Sequence, residues 1–135
     1  MAAIVIIEDD FILGEDMATA LKSRLHDVEV LPSASQALNR CCERAFDLAI
    51  VDIFIMKDGS FVPDGGLSFI SRLRHNTELM LQTRRNIPII AISGGLLSIG
   101  GGGPLQNARD IGASSALTKP FKMIDLVKEV KDLLA

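Results

Sequence analysis

The fold of this chain is most constrained by short apolar segments that recur along the sequence. Several of these segments are followed directly by a polar side chain. Residues 3–7, 48–51 and 87–92 are almost continuously apolar and rich in β-branched side chains. Such segments are typical of strands that are covered on both faces in a parallel sheet. Residues 28–31 and 115–118 predict two further strands, so five strands are expected in all.

Segments with helical spacing separate these strands. Ser33 is a suitable N-cap for a second helix over residues 34–44. The side chains expected to face the core recur every three or four residues: Leu13, Met17, Leu21 and Leu25 in the first helix, Ala37, Leu38 and Cys41 in the second, Leu67, Ile70 and Leu73 in the third, and Met123, Leu126, Val127, Val130 and Leu134 in the last.

The alternation of strands and helices predicts an α/β fold. Parallel neighbours need right-handed helical crossovers, so we expect a five-stranded, doubly wound parallel sheet with helices on both faces. A length of 135 residues suits one domain spanning residues 1–135.

Two segments break this regularity. Residues 53–66 form a connection that is long for a β-α loop, and loops of that length tend to be functional or mobile. Residues 93–104 hold six glycines where the helix after the fourth strand should begin. Each glycine in a helix costs about 1 kcal/mol relative to alanine. We therefore expect that helix to be short and to start only at Pro104.

Composition excludes several classes of function. The chain has 14 basic and 17 acidic side chains, a net charge of -3, six Phe and no Trp or Tyr, which argues against direct nucleic-acid binding. Its apolar segments are far shorter than the roughly 20 residues that cross a bilayer. Cys41 and Cys42 are adjacent on a predicted helix, where their side chains diverge, so no disulfide is expected between them. A cytoplasmic protein is predicted.

Polar residues collect at the carboxyl ends of the predicted strands. They are Glu8, Asp9 and Asp10 after the first strand, Asp52 after the third, Ser93 after the fourth and Lys119 after the fifth. Ligands of doubly wound sheets bind outside those ends, where the strand order reverses. With the order 2-1-3-4-5, Asp9 and Asp52 would meet there. We expect Asp10 to be a solvent-facing or helix N-terminal charge outside the site.

The chemistry of this group points to a hard cation and a phosphoryl group. Two carboxylates about 4 Å apart repel by roughly 4 kcal/mol at an effective dielectric near 20, which implies a divalent ion. Oxygen donors without His or Cys suit Mg²⁺. Lys119 and the Ser93 hydroxyl would contact the remaining phosphoryl oxygens, and Asp52 is the candidate nucleophile.

The segments "IVIIEDD", "FDLAIVD", "IPIIAIS" and "ALTKPF" resemble the receiver domain of two-component response regulators, in matching order and over almost the whole chain. The resemblance implies the flavodoxin-like receiver fold with strand order 2-1-3-4-5. It also implies that Asp52 accepts a phosphoryl group from a sensor histidine kinase or a His-containing phosphotransferase. In this family the acceptor is not an enzyme but catalyses its own phosphorylation and dephosphorylation.

The same resemblance implies roles for the other residues of the site. Glu8 and Asp9 would form the acidic pair, and Asp9 and Asp52 would bind Mg²⁺ together with the carbonyl of Phe54. Ser93 and Lys119 would contact the phosphoryl group. By the same analogy, the Lys119-Pro120 peptide would be cis.

This sequence also departs from the family pattern. The loop after Asp52 is roughly six residues longer, and Met56 stands where a proline is usual. Ala116 replaces the usual aromatic residue, so the aromatic relay is absent. Residues 94–103 replace most of the fourth helix, so signalling is expected to use ordering of this segment or another face. Phe54 and Gly95 replace polar residues that place a hydrolytic water in some relatives, which predicts slow self-dephosphorylation.

We therefore expect a stand-alone phospho-acceptor without an output domain. It is expected to be monomeric or weakly dimeric and to signal by contact with another protein. Its role would be that of a relay shuttle, a phosphate sink or an adaptor. A pseudo-receiver that is not regulated by phosphorylation is the first alternative. The second is a haloacid-dehalogenase-like phosphatase, which would need a second acid where Phe54 stands.

Overall fold

A computed structural model describes residues 1–53, 56–57, 60–61, 65–94 and 108–135. The elements in chain order are β1 (Ala3–Ile7), α1 (Phe11–Lys22), β2 (Asp27–Leu31), α2 (Ala34–Glu43), β3 (Leu48–Asp52), β4 (Met56–Lys57), β5 (Ser60–Phe61), α3 (Gly66–His75), β6 (Ile89–Ser93), β7 (Ser115–Thr118) and α4 (Met123–Leu134). The short helix predicted from Pro104 and the ordering of residues 94–103 fall almost entirely outside the described residues.

Five parallel strands form the main sheet in the order β2-β1-β3-β6-β7. Counting only the strands of this sheet, the order is 2-1-3-4-5, so the predicted doubly wound fold is confirmed. β1 and β3 lie side by side at the centre, with Ile7 in register with Val51. The carboxyl ends of these two strands therefore open at the same edge.

Alternate side chains of the central strands bury on opposite faces of the sheet. Val5 and Ile7 pack in the cluster that α2 and α3 cover, whereas Ile4 and Ile6 pack in the cluster that α1 and α4 cover. Each strand is thus covered on both faces, which explains its continuously apolar sequence. No helix in the described part of the chain is long and apolar enough to cross a membrane.

Local capping sets where the helices begin. Ser33 Oγ accepts a hydrogen bond from the Gln36 amide at 3.3 Å, so the predicted N-cap of α2 is confirmed. Asp10 Oδ1 accepts from the amides of Ile12 and Leu13 at 3.0 and 3.2 Å and caps α1. The prediction that Asp10 serves the helix N-terminus is therefore also confirmed.

Two apolar residues were wrongly assigned to the core. Leu25 is 77% exposed because α1 ends at Lys22 and Leu25 follows with a positive φ of 69°. Leu67 is 42% exposed, whereas Phe69 on the same helix is fully buried. The spacing in the first turn of α3 pointed to the wrong side chain, because Gly66 rather than Leu67 packs inward.

The connection between β3 and α3 is not all loop. Its described residues include an antiparallel pairing of β4 with β5, in which Met56 lies opposite Phe61 and Lys57 opposite Ser60. A long β-α loop was expected over residues 53–66, and this pairing within it was not predicted. The cysteines follow the prediction, since Cys41 is buried, Cys42 is half-buried and both are free thiols.

Charged side chains line the outer edge of the sheet at β2. Arg40 Nε lies 2.7 Å from Glu29 Oε1, and Arg44 Nη1 lies 2.8 Å from Glu29 Oε2. Arg44 Nη2 also pairs with Asp27 Oδ2 at 2.6 Å. These ion pairs join the edge strand to α2 and its C-cap.

Candidate functional site

Four of the side chains predicted at the strand ends meet: Glu8, Asp9, Asp52 and Lys119. Asp52 ends β3 and Ser93 ends β6, while Glu8 follows β1 by one residue and Lys119 follows β7 by one residue. Because these four strands are consecutive in the sheet, all of these positions fall at one rim. Glu8, Asp52 and Ser93 are buried there.

Lys119 joins two of the acidic side chains. Its Nζ donates a hydrogen bond to Asp52 Oδ2 at 2.9 Å and lies 3.5 Å from Glu8 Oε2. Burial alone would lower the pKa of the Lys119 ammonium, but its hydrogen bond with Asp52 and the charges of Asp52 and Glu8 raise that pKa above its ordinary value. The cation is therefore held in its charged form between the two carboxylates.

Glu8 is incompletely paired. Its Oε1 accepts from the Asp10 amide at 3.2 Å, whereas its buried Oε2 has no hydrogen-bond partner among the described residues. Burial, followed by the charge of Asp52, raises the pKa of Glu8 to about 7, although Lys119 acts in the opposite direction. A buried oxygen in this state is poised to accept a further positive ligand.

The carboxylates could hold a metal ion. One oxygen each from Glu8, Asp9 and Asp52 lies within 4.8 Å of the others, and Asp9 is exposed while the other two are buried. Three oxygen donors, one of them open to solvent, fit a hard cation that keeps several waters, such as Mg²⁺. Glu8 Oε2 makes no hydrogen bond among the described residues and has only a 3.5 Å ion pair with Lys119, which supports the same fit.

The remaining predicted residues are placed as follows. Ser93 is fully buried, and its carbonyl accepts from the Lys119 amide at 2.6 Å. The Lys119-Pro120 peptide is cis, as the resemblance implied. Ala116 is half-buried on β7 and in register with Ala91. Phe54 and Gly95 lie outside the described residues, so the predicted Phe54 carbonyl ligand stays a prediction.

Gly66 is a neighbour of the site that the sequence analysis missed. A Cβ at this first residue of α3 would clash with the carbonyl oxygen of Asp52. It would also lie 2.7 Å from the carbonyl carbon of Asp52 and 2.6 Å from Val51 Cγ1. Only glycine allows the helix to begin so close to the Asp52 backbone. The signal in the sequence was the Gly65-Gly66 pair at the end of the long connection.

An apolar groove opens beside Lys119. Its volume is about 460 Å³, and Ile12, Leu13, Pro120 and Phe121 are among the residues that line it. Phe11 and Ile12, the first two residues of α1, are 77% and 72% exposed. The rim of the acidic site thus carries an apolar surface next to its cation.

Comparison with known families agrees with this geometry, because the response regulator receiver domain model matches residues 4–131. The chain belongs to this family. Receiver domains are signalling modules that interact with histidine kinases and downstream effectors. The response regulator protein PmrA of Pseudomonas aeruginosa is 28% identical over 133 residues, which cover 96% of this chain and 51% of PmrA. The receiver chain therefore spans about half the length of that curated relative.

Solved structures show the same fold. The receiver domain of the Francisella response regulator 1452 superposes with a TM-score of 0.76 at 19% identity, covering 99% of this chain and 97% of that one. A two-component response regulator from Clostridium difficile gives a TM-score of 0.74 at 21% identity, covering 99% and 96%. The receiver architecture is thus kept at low sequence identity.

Proposed function

We propose that this receiver domain is a phospho-acceptor, in which Asp52 takes a phosphoryl group from a phosphohistidine of a sensor histidine kinase or a His-containing phosphotransferase. The observation that carries the proposal is the Glu8, Asp9 and Asp52 carboxylate cluster with the Lys119 ammonium 2.9 Å from Asp52. This arrangement offers a nucleophilic oxygen, a cation and metal ligands at one place.

In the proposed reaction, an oxygen of the Asp52 carboxylate attacks the phosphorus of phosphohistidine. A P–O bond forms, the P–N bond breaks, and the donor imidazole leaves with the electron pair of that bond. Lys119 would move its hydrogen bond from the carboxylate to a phosphoryl oxygen, and the Ser93 hydroxyl would contact another. These two groups would hold the product and bias the conformation of the domain.

The proposed ligands of Mg²⁺ are Glu8, Asp9, Asp52 and the Phe54 carbonyl. When bound, Mg²⁺ would neutralise the charge of the carboxylates and of the incoming phosphoryl group. Asp9 is the exposed member of the three, and we propose that it faces the approaching donor.

The apolar groove and the exposed Phe11 and Ile12 suit the protein that carries the donor histidine. An apolar rim beside a charged centre allows a partner to bury apolar surface while its reactive group reaches Asp52. Output is proposed to follow by contact between the phosphorylated domain and a downstream protein in the cytoplasm. We further propose that self-dephosphorylation is slow; a phosphorylated lifetime of seconds would refute it.

The experiment is intact mass after incubation with acetyl phosphate and Mg²⁺. Wild type should gain one phosphoryl group, Asp52→Asn should gain none, and Asp9→Ala should react much more slowly. Asp132→Asn, a matched change at an exposed position on α4, should react like wild type. Equal labelling of Asp52→Asn would show that the nucleophile is another residue.

Ala116 favours one alternative, the pseudo-receiver, because it removes the aromatic side chain that receivers usually place on this strand. In that case the domain would bind its partners without phosphorylation. Failure of the wild-type protein to react, with the fold intact by circular dichroism, would support this function instead.

A further inference from the structure

Two adjoining depressions lie at the amino ends of the strands, opposite the acidic site. One has a volume of about 440 Å³ and lies between the end of α1 and the end of α4. The other, of about 470 Å³, continues beneath the starts of the strands. They share His26 and Leu134, and together we call them the amino-end groove.

The walls of the amino-end groove are mixed. Apolar surface predominates in the part between α1 and α4, and polar surface predominates in the part beneath the starts of the strands. Val127, Leu133 and Leu134 of α4 are only partly buried in the core and line it. Leu25 does not line the groove itself, but it lies between two residues that do, Arg24 and His26, and is 77% exposed. Its φ of 69° is a conformation that favours glycine, so the fold keeps a branched apolar side chain outward where both solvent and backbone disfavour it.

The edges of the groove are cationic. Arg24, Arg84 and Lys131 line it and are exposed. Among the described side chains that line it, Asp47 is the acidic one, and its Oδ2 accepts a hydrogen bond from the Ala3 amide at 2.8 Å. This end of the molecule therefore combines a partly apolar groove with excess positive side-chain charge in a chain whose net charge is -3.

We propose that the amino-end groove docks an acidic, amphipathic helical segment of a partner protein. Leucine-type side chains of that segment would fill the groove between α1 and α4, and its carboxylates would pair with Arg24, Arg84 and Lys131. A concave groove fits the curved surface of a helix better than it fits a flat bilayer. Docking here leaves the rim that carries Asp52 accessible.

The test uses the full chain and a fluorescent synthetic helix of about five turns, with Leu on one face and Glu elsewhere. Wild type should bind it, with amide NMR shifts centred on Arg24, Leu25 and Lys131. Arg24→Glu and Lys131→Glu should each weaken binding by about tenfold at low salt. Leu25→Gly should also weaken binding while keeping or raising the melting temperature, because glycine prefers that backbone conformation.

Lys122→Glu, an equal charge change at an exposed residue outside the groove, is the matched control and should bind like wild type. Three results would overturn the proposal: no binding by wild type up to about 1 mM peptide, equal weakening by Lys122→Glu, or binding to phosphatidylserine vesicles in place of the peptide. The assay needs no phosphorylation, so it stands apart from the test of Asp52.

Discussion

The Lys119 ammonium reaches Asp52 Oδ2 at 2.9 Å although the two residues are 67 positions apart in the sequence. The hydrogen bond joins the residue after β7 to the end of β3, two strands away across β6. It couples the stability of the fold to the state of the acidic site.

Replacing Lys119 by Met should destabilise the metal-free protein, because two buried carboxylates would lose their shared cation. We expect the free energy of unfolding to fall by about 1–3 kcal/mol. Mg²⁺ should restore more stability to the variant than it adds to wild type. Urea unfolding with EDTA and with Mg²⁺ measures both effects. Lys122→Met is the control, and an equal Mg²⁺ effect in all three proteins would contradict the prediction.

The raised pKa of Glu8 makes the metal-free protein sensitive to pH. With a folded pKa of about 7 and an ordinary value of 4.5, the fold binds a proton that the unfolded chain releases. The resulting stability is complete below the unfolded value and is lost as pH rises through 7. Glu8→Gln should remove this loss, which is at most about 3 kcal/mol. Urea unfolding between about pH 5 and 8 tests it, with the exposed Glu15→Gln as control.

Gly66→Ala should disturb both the fold and Asp52. The added methyl group would force the start of α3 away from the Asp52 carbonyl, and we expect a loss of about 1–3 kcal/mol. The rate of labelling by acetyl phosphate should fall as well, when it is compared at a temperature where the variant is fully folded. Leu67→Ala, one residue further and exposed, should change neither quantity. Normal labelling by folded Gly66→Ala would show that this contact does not position Asp52.

A Phe11→Ser, Ile12→Ser double variant should separate the two kinds of phosphodonor. Transfer from a cognate protein donor should slow by about tenfold or more, because its docking surface loses apolar area. Labelling by acetyl phosphate, which needs no docking, should keep its wild-type rate. Met80→Ser, at another exposed apolar residue, serves as the control. Slowing with both donors would instead indicate damage to the site.

Thr83→Val tests a buried hydrogen-bond pair far from the site. The Thr83 hydroxyl donates to the Arg44 carbonyl at 2.6 Å and accepts from the Phe46 amide at 3.0 Å. Its loss leaves two buried backbone groups unpaired and should cost about 1–3 kcal/mol. Chemical denaturation measures the cost, and labelling of Asp52 should be unaffected. Thr19→Val, at an exposed position, should be nearly neutral.

Much of the sheet was predictable because a strand covered on both faces must be apolar at every position. Ser33 could be assigned as the N-cap of α2 because a serine just before a helical segment is a local signal in the sequence. The exposure of Leu25 could not be predicted, because hydrophobic periodicity does not show where a helix ends unless a glycine or proline marks the end. The β4-β5 pairing was missed because two-residue strands carry too little pattern to detect.

The residues of the site could be predicted from their positions at the strand ends, but their burial and hydrogen bonding could not. Glu8 and Asp9 are adjacent acids in the sequence, yet Glu8 is buried with one oxygen that makes no hydrogen bond among the described residues, and Asp9 is exposed. That difference depends on which way each side chain leaves the end of β1. The closeness of Gly66 to Asp52 likewise depends on how α3 packs over β3.

The ion pairs along β2 have a consequence for how copies of this molecule meet. An outermost strand with unsatisfied backbone groups is a template for polymerisation, and natural proteins block it with charge. Here Glu29 and Asp27 form ion pairs with Arg40 and Arg44. An incoming strand would have to pack against these fixed charges. We therefore expect these charges to hinder the addition of a further strand at the β2 edge.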